Sequence, residues 1–193
     1  MREDLPKLPC RLHLAVTGSV GGTTLALQYA RQSIVEGGRV IWASEKIPDP
    51  LRFSQIFADV DIVSSSRFHA IELGTNLEQG IKQVIDASDF LPSVILVVID
   101  DWAPKQGKTP SSTIALAEKV LAVADREMSV ILTSKTYGNP AAGADSKVRG
   151  GERLENAGCE TWHLTREESK PEIRQINSAE ESFSLRLGDE GYY

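Results

Sequence analysis

The sequence has little that would hold a metal ion or form a disulfide. Its two cysteines, Cys10 and Cys159, lie far apart and form no CxxC motif, which argues against the usual zinc and dithiol sites. No stretch approaches the roughly 18 consecutive apolar residues that a membrane-spanning helix needs. Residues 1–10 combine charges with two prolines, unlike a secretory signal. We therefore expect a protein of the reducing cytoplasm that binds no membrane.

Basic charge is also scarce. The chain has 21 Lys and Arg residues against 27 Asp and Glu residues, for a net charge of −6 at pH 7. Proteins that hold nucleic acid through many phosphate contacts usually present a basic face, so any DNA binding must depend on a local patch. A length of 193 residues, with 41% hydrophobic and 25% charged residues, predicts one domain over residues 1–193 with a full core.

What the sequence does contain is a regular alternation of apolar and helical segments between residues 11 and 134. Strands are predicted at Leu12–Val16, Val40–Ser44, Phe68–Leu73, Val94–Ile99 and Val130–Ser134. Helices are predicted from Thr23 to the Gly37-Gly38 pair, over Pro50–Asp59 and Asn76–Ser88, and from a cap at Ser111 or Ser112 to about Met128. This alternation predicts an α/β fold, with a mainly parallel sheet flanked by helices on both faces.

The last part of the chain has a different pattern. Strand-like runs at Thr161–Arg166, Glu172–Asn177 and Phe183–Leu187 are separated only by short polar turns. They predict an antiparallel extension at one edge of the sheet. The stretch Tyr137–Gly151 is rich in Gly, Ala, Asn and Pro, and we expect it to form a mobile surface loop.

One further absence concerns the glycine-rich turn Thr17–Thr24, which has no lysine. A strand, a glycine-rich turn and a helix that opens with Thr-Thr are typical of a phosphate-binding loop, because backbone N–H groups and the helix N-terminus then face the phosphates. The alternative is an ordinary turn between a strand and a helix. The residues predicted to contact a nucleotide are Gly18, Ser19, Val20, Gly21, Gly22, Thr23 and Thr24.

Two alignments with the phosphate-loop pattern GxxxxGK[ST] are open. If Thr23 is the magnesium-binding hydroxyl, Gly21 takes the last glycine, Gly22 the lysine and Val16 the first glycine. If the alignment shifts by one residue, Gly22 takes the last glycine and Thr23 the lysine. The lysine that contacts the β- and γ-phosphates is missing from both alignments, which weakens the prediction that ATP is bound.

A pair of carboxylates, Asp100-Asp101, follows the fully apolar run VILVVI. The carboxyl end of such a strand matches the position where nucleotide-binding proteins hold magnesium, usually through water. The alternative is an aspartate that ends a strand and caps a turn. The glycine-rich turn and this carboxylate occur in the order that a nucleotide site requires, so each supports the other.

Five further segments carry a resemblance to a known family. They are Arg39–Glu45, Asp49–Phe53, Gly150–Leu154, Thr161–Leu164 and Phe183–Leu187 with Gly191. Their order and spacing resemble the ATPase core of the RecA/RadA recombinases, and especially the short archaeal RadA paralogues such as RadB. The resemblance runs along nearly the whole chain and implies a RecA-like P-loop core with a degenerate phosphate loop.

The resemblance also implies roles for single residues. Glu45 would polarise the attacking water as a general base, while Thr23 and Asp100 would hold Mg²⁺ for ATP. Lys135 stands where the recombinases often carry a glutamine that senses the γ-phosphate. Lys135, or Lys46 beside the expected base, would replace the missing loop lysine. The alternative is that both side chains lie in water, as long lysines at strand ends usually do.

The stretch Tyr137–Gly151 corresponds to the second DNA-binding loop of the recombinases. Its candidate phosphate contacts, together with the residues just after it, are Lys147, Arg149 and Arg153. A charge-balanced connection without DNA contacts is the alternative. Because only about ten residues precede the first predicted strand, we expect neither the recombinases' N-terminal DNA-binding domain nor a self-assembling filament.

The resemblance thus implies an accessory protein of DNA recombination and repair. Its partners would be a RadA-type recombinase or another repair protein, with weak binding of single-stranded DNA. ATP binding and hydrolysis would be altered, weak or absent. Two alternatives stay open: a catalytically inactive RecA-fold module for protein interaction, and a nucleotide-dependent regulator of the KaiC type.

Overall fold

The computed structural model describes residues 5–138 and 146–193. The strands are β1 Arg11–Val16, β2 Arg39–Ser44, β3 Phe68–Glu72, β4 Val94–Asp100, β5 Ser129–Lys135, β6 Glu160–Arg166, β7 Ile173–Asn177, β8 Ser182–Gly188 and β9 Gly191–Tyr192. The helices are α1 Gly22–Val35, α2 Pro50–Ile56, α3 Ile62–Ser65, α4 Leu77–Phe90, α5 Ser111–Leu121 and α6 Gly151–Asn156. Within the described ranges, no helix is both long and apolar enough to cross a membrane.

The strands of the described residues form a nine-stranded sheet in the order β3-β2-β4-β5-β1-β6-β7-β8-β9. Every pairing from β3 to β6 is parallel, whereas the pairings from β6 to β9 are antiparallel. Both parts of the predicted fold are therefore confirmed: the mainly parallel α/β sheet and its antiparallel C-terminal extension.

The core lies on both faces of the parallel sheet. One cluster of buried side chains joins α1 to one face, and a second joins α4 and α5 to the other. Residues 96–99 of β4 are all fully buried, because their side chains alternate between the two clusters. This explains why the run VILVVI is apolar at every position.

The helix predicted over Pro50–Asp59 is shorter than expected. It ends at Ile56 as α2, and a separate short helix, α3, follows it. Asp61 begins α3 by accepting the backbone N–H of Ser64 at 3.0 Å and its hydroxyl at 2.6 Å. The Asp61 cap makes α3 a helix separate from α2. The apolar periodicity of the sequence did not indicate this division.

The helix predicted to run to Met128 ends at Leu121. Asp125 accepts the N–H groups of the two residues at 127 and 128, at 2.8 and 2.9 Å, and so forms a turn. The predicted serine cap is also wrong, since Pro110 is the N-cap of α5 and makes no side-chain cap hydrogen bond.

The loop predicted over Tyr137–Gly151 falls partly outside the described residues, which leave out positions 139–145. Its two described ends are joined. Tyr137 and Lys147 exchange two backbone hydrogen bonds, of 3.0 and 2.7 Å.

Candidate functional site

The carboxyl ends of β1, β5 and β4 lie side by side in the sheet. Open α/β sheets bind their ligands at this edge. A cavity of about 230 Å³ lies there. Its lining consists of Val16, Gly18, Ser19, Val20, Gly21, Gly22, Thr23, Asp101, Thr133 and Lys135. The cavity therefore brings most of the predicted phosphate loop together with Lys135.

Asp100, at the end of β4, is hydrogen-bonded by two threonines. The Thr133 hydroxyl donates to its Oδ1 at 2.6 Å, and the Thr23 hydroxyl lies 3.2 and 3.0 Å from its two oxygens. Burial raises the pKa of Asp100 to about 6, neighbouring Asp101 adds to the rise, and the threonine hydroxyls oppose it. The Thr23–Asp100 contact favours the alignment in which Thr23 is the magnesium-binding hydroxyl and Gly22 replaces the lysine.

These donors suit a hard divalent cation. A hydroxyl from Thr23 and a carboxylate from Asp100 are oxygen ligands of the kind that Mg²⁺ takes, and Mg²⁺ usually keeps several waters and shares oxygens with a bound phosphate. In residues 5–138 and 146–193, no group of three or more His, Cys, Asp or Glu side chains is arranged to hold a metal. A magnesium ion here would therefore depend on the phosphate oxygens of a ligand.

The first turn of α1 is open to an anion. Its N-cap, Gly21, has a left-handed φ of 102° and makes no side-chain cap hydrogen bond. The first turn of this 14-residue helix also contains no acidic residue. Its leading N–H groups and the positive end of its dipole are therefore not compensated by a side chain of the helix, which is the arrangement that binds phosphate.

Two buried side chains that the sequence did not indicate hold the loop backbone in place. Arg174 Nε donates to the Val20 carbonyl at 2.9 Å, and the Tyr192 hydroxyl donates to the carbonyls of Val20 at 2.9 Å and Gly21 at 3.2 Å. Burial raises the pKa of Tyr192, which keeps its hydroxyl a donor. A Cβ added to Gly21 would lie 2.6 Å from that hydroxyl, so this position requires glycine for space as well as for its φ. The C-terminal strands thus fix the glycine-rich turn.

Tyr192 is itself fastened to α1. The Gln28 side chain donates to the Tyr192 carbonyl at 2.9 Å and accepts the Tyr192 N–H at 2.6 Å. In the sequence, only the neighbouring Gly191 stood out in this segment.

Lys135 reaches the cavity because of the strand register. It is paired with Val16 in the parallel β1–β5 ladder, and residues in register on neighbouring strands share one face of a sheet. Lys46 is not among the described residues that line the cavity. It follows β2, where its carbonyl accepts the Ser44 hydroxyl at 2.6 Å. The structure therefore brings Lys135, rather than Lys46, to the loop.

Glu45 lies outside the set of described residues that line the cavity. Its side chain is 66% exposed, and its Oε2 lies 3.7 Å from the Lys105 ammonium. Its strand, β2, is separated from β1 by β4 and β5. The predicted role of Glu45 as a general base stays a prediction.

The three basic residues predicted to contact DNA do not share one exposed surface. Lys147 is exposed, while Arg153 forms a two-pronged ion pair with Glu118, at 2.9 and 2.5 Å. Arg149 is 1% exposed. Its guanidinium donates to the carbonyls of Lys135 and Gly107 at 2.8 Å and of residue 105 at 3.2 Å. Arg149 therefore ties the loop after β5 to the loop after β4, and this internal role removes it from the candidate DNA contacts.

The fold is similar to those of solved structures that have low sequence identity to this chain. A crystal structure of the RadB recombinase matches with a TM-score of 0.71 and 16% identity, over 96% of this chain and 90% of that one. A DnaB-like replicative helicase, studied for its interactions with primase, matches with a TM-score of 0.68 and 13% identity. That match covers 95% of this chain but 57% of the helicase chain. At these identities the likeness shows the fold alone, and it confirms the predicted RecA-like core.

Comparison with protein-family profiles gives no match, and comparison with curated protein sequences gives none either.

Proposed function

We propose that this protein binds a nucleoside triphosphate with Mg²⁺ at the cavity after β1, and acts as an accessory protein in DNA recombination and repair beside a RadA-type recombinase. The observation that carries the proposal is the hydrogen-bonded group of Thr23, Asp100 and Thr133 next to the uncapped start of α1. An ordinary turn needs neither a buried carboxylate with a raised pKa nor an open helix terminus. Together they offer donors for an anion and oxygen ligands for its cation.

Each residue has a defined part in the proposed complex. The leading N–H groups of α1 and the Lys135 ammonium bind phosphate oxygens, and Lys135 supplies the charge that the loop lacks. Thr23 and Asp100 hold Mg²⁺, which neutralises part of the phosphate charge. Thr133 keeps the Asp100 carboxylate oriented through its 2.6 Å hydrogen bond.

Hydrolysis is proposed to be weak or absent. The loop lysine is missing, and the expected base, Glu45, is 66% exposed and paired with Lys105. A general base must lie within hydrogen-bond reach of the water that it activates. The nucleotide is therefore proposed to act as a bound ligand that stabilises one state of the protein, with little turnover.

The proposed role in recombination is supported by the similarity in fold to the RadB recombinase. Contact with single-stranded DNA is proposed to be weak, because the net charge is −6 and two of the three candidate residues have other partners. Arg153 pairs with Glu118, and Arg149 is bonded to backbone carbonyls inside the protein. Lys147, which is exposed, is the candidate that remains. Fluorescence anisotropy at low salt is expected to show binding that weakens in Lys147→Ala. Binding that is absent at about 20 mM salt would favour a regulator of the KaiC type.

Calorimetric titration with Mg·ATP tests the nucleotide site. The protein is expected to bind with a Kd below about 1 mM, and Thr23→Ala is expected to bind at least about tenfold more weakly because a metal ligand is lost. Thr113→Ala makes the same change on α5 and is the control, with unchanged affinity. No binding by the unaltered protein up to about 5 mM would overturn the proposal and favour an inactive protein-interaction module.

A further inference from the structure

The position where the loop lysine is missing, Gly22, is packed closely against Val16. A Cβ added at Gly22 would lie 2.6 Å from Cγ2 of Val16, closer than real Cβ atoms come to a neighbour. The Cβ and Cγ1 atoms of Val16 would both lie at 3.6 Å, which is ordinary van der Waals contact. One methyl group therefore blocks any side chain at position 22.

Val16 has little freedom to move that methyl group. It is 6% exposed and belongs to the core cluster beneath α1. As the last residue of β1 it is paired on both sides, with Lys135 of β5 and Leu164 of β6. A β-branched side chain in a strand also has few accessible χ1 rotamers. A side chain at position 22 would therefore have to displace the Val16 methyl group from its packed position.

The backbone at Gly22 does not itself demand glycine. Gly18 and Gly21 have positive φ values of 74° and 102°, whereas Gly22 is not among the described residues with positive φ. Gly22 is also the first residue of α1, a position that accepts other residues well. The obstacle to a side chain at Gly22 is thus the contact with Val16.

These two residues occupy linked positions of the phosphate-loop pattern. With Thr23 aligned by its contact with Asp100, the pattern GxxxxGK[ST] places a glycine at position 16 and the lysine at position 22. This chain has a branched side chain at the first position and none at the second. The two departures are complementary in size.

We propose that Val16 and Gly22 are a coupled pair that closes the lysine slot, meaning the space that a lysine side chain at position 22 would occupy. The positive side chain that contacts the phosphates is then Lys135. This deepens the proposed function and rests on it for the role of Lys135. Lys135 stands beside Val16 in the β1–β5 register and lines the same cavity. The loop then works without a lysine of its own, and Gly22→Lys alone does not restore one.

A thermal-unfolding cycle tests the coupling without any nucleotide. Gly22→Ala is expected to lower the Tm by about 5 °C or more, because the new Cβ collides with Val16. In the Val16→Ala background, which removes the blocking methyl, the same change is expected to leave the Tm unchanged or to raise it. Val94→Ala removes the same atoms from a residue in the other core cluster and is the control, where the loss from Gly22→Ala is expected to persist. Equal losses in all three backgrounds would overturn the coupling.

Titration with Mg·ATP then tests the lysine slot. Gly22→Lys alone is expected to bind no more tightly than the unaltered protein. The double variant Val16→Ala/Gly22→Lys is expected to bind at least about tenfold more tightly, since a loop ammonium then reaches the phosphates. Adding Lys135→Ala to this double variant is expected to cost less than about threefold, because the loop then carries its own cation.

Two results would overturn the inference: a Gly22→Lys variant that binds as tightly as the double variant, or a double variant no tighter than the unaltered protein. If the unaltered protein binds nothing and the double variant binds Mg·ATP, the closed slot is supported while the proposed nucleotide function fails.

Discussion

The carboxyl edge of the sheet has two unlike parts. Around β1, β4 and β5, the polar side chains are packed against one another, with Thr23 and Thr133 both bonded to buried Asp100. At the end of β2, Glu45 is 66% exposed and pairs with a lysine that is 64% exposed. Binding needs donors and acceptors already in place, and hydrolysis additionally needs a base held against a water. The comparison indicates that these two requirements can be separated in this chain.

The largest expected effect is on the free energy of unfolding and comes from the buried carboxylate of Asp100. Because the pKa of Asp100 is raised from 3.8 to about 6, its ionised form costs stability. That cost is absent below about pH 3.8, grows as the pH rises through the folded pKa, and is complete above about pH 6. Asp100→Asn is therefore expected to raise the free energy of unfolding at pH 8 by up to about 3 kcal/mol, and to change it little at pH 4.

Urea unfolding at the two pH values measures this difference. Asp89→Asn is the matched control, because it makes the same change at an exposed position on α4. The control is expected to change stability by less than about 0.5 kcal/mol. A gain of equal size at pH 4 and pH 8 in Asp100→Asn would show that charge burial is not its cause.

The next effect comes from removing the Lys135 ammonium, the positive group proposed to bind phosphate beside Asp100. Lys135→Ala is expected to weaken Mg·ATP binding about tenfold to a hundredfold, because a charge-assisted hydrogen bond contributes about 1.5–3 kcal/mol. Lys46→Ala, the same change beside Glu45, is expected to leave the affinity unchanged. Calorimetry measures both, and equal losses would contradict the assignment of Lys135.

A smaller effect concerns the support of the loop. Tyr192→Phe removes the hydroxyl that donates to the Val20 carbonyl at 2.9 Å, and is expected to cost about 1 kcal/mol of stability together with several-fold weaker nucleotide binding. Tyr29→Phe is the control, since the Tyr29 hydroxyl donates to the Pro6 carbonyl at 2.7 Å. It is expected to cost similar stability while the nucleotide affinity stays constant. If both variants bind alike, Tyr192 does not position the loop.

The smallest effect is expected at the exposed part. Glu45→Gln should change nucleotide affinity by less than about threefold, because an exposed ion pair such as Glu45–Lys105 contributes little. Hydrolysis, measured as phosphate release, should remain slow and unchanged. A large loss of hydrolysis in this variant would contradict the separation of binding from hydrolysis, since it would place Glu45 against the attacking water when nucleotide is bound.

Local patterns account for what the sequence predicted well. Strand β4 was recognisable because burial on both faces makes every position apolar, and glycines mark the turn before α1. The family resemblance implied that Thr23 and Asp100 share one site, and a hydrogen bond joins them in the structure. The fold was thus readable from short segments.

What the sequence could not show depends on long-range contacts. Arg149 stands in a glycine-rich stretch and suggested an exposed DNA contact, but carbonyls of another loop surround its guanidinium. The end of α5 was missed because Ala124 continued the apolar periodicity, while the turn at Asp125 ended the helix. The block at Gly22 by Val16 requires the packed loop, so no pattern of residue types reveals it.

The attachment of the glycine-rich turn to Arg174 and Tyr192 has a consequence for protein synthesis. The hydrogen bonds to Val20 span 154 and 172 residues, and a ribosome delivers the chain from the N-terminus. A nascent chain that has already paired β1 with β5 still lacks the two side chains that secure the loop. Loss of residues 192–193, through proteolysis or a premature stop codon, would remove the Tyr192 hydrogen bonds while Arg174 is kept. It is therefore expected to loosen the glycine-rich turn while the parallel strands remain folded.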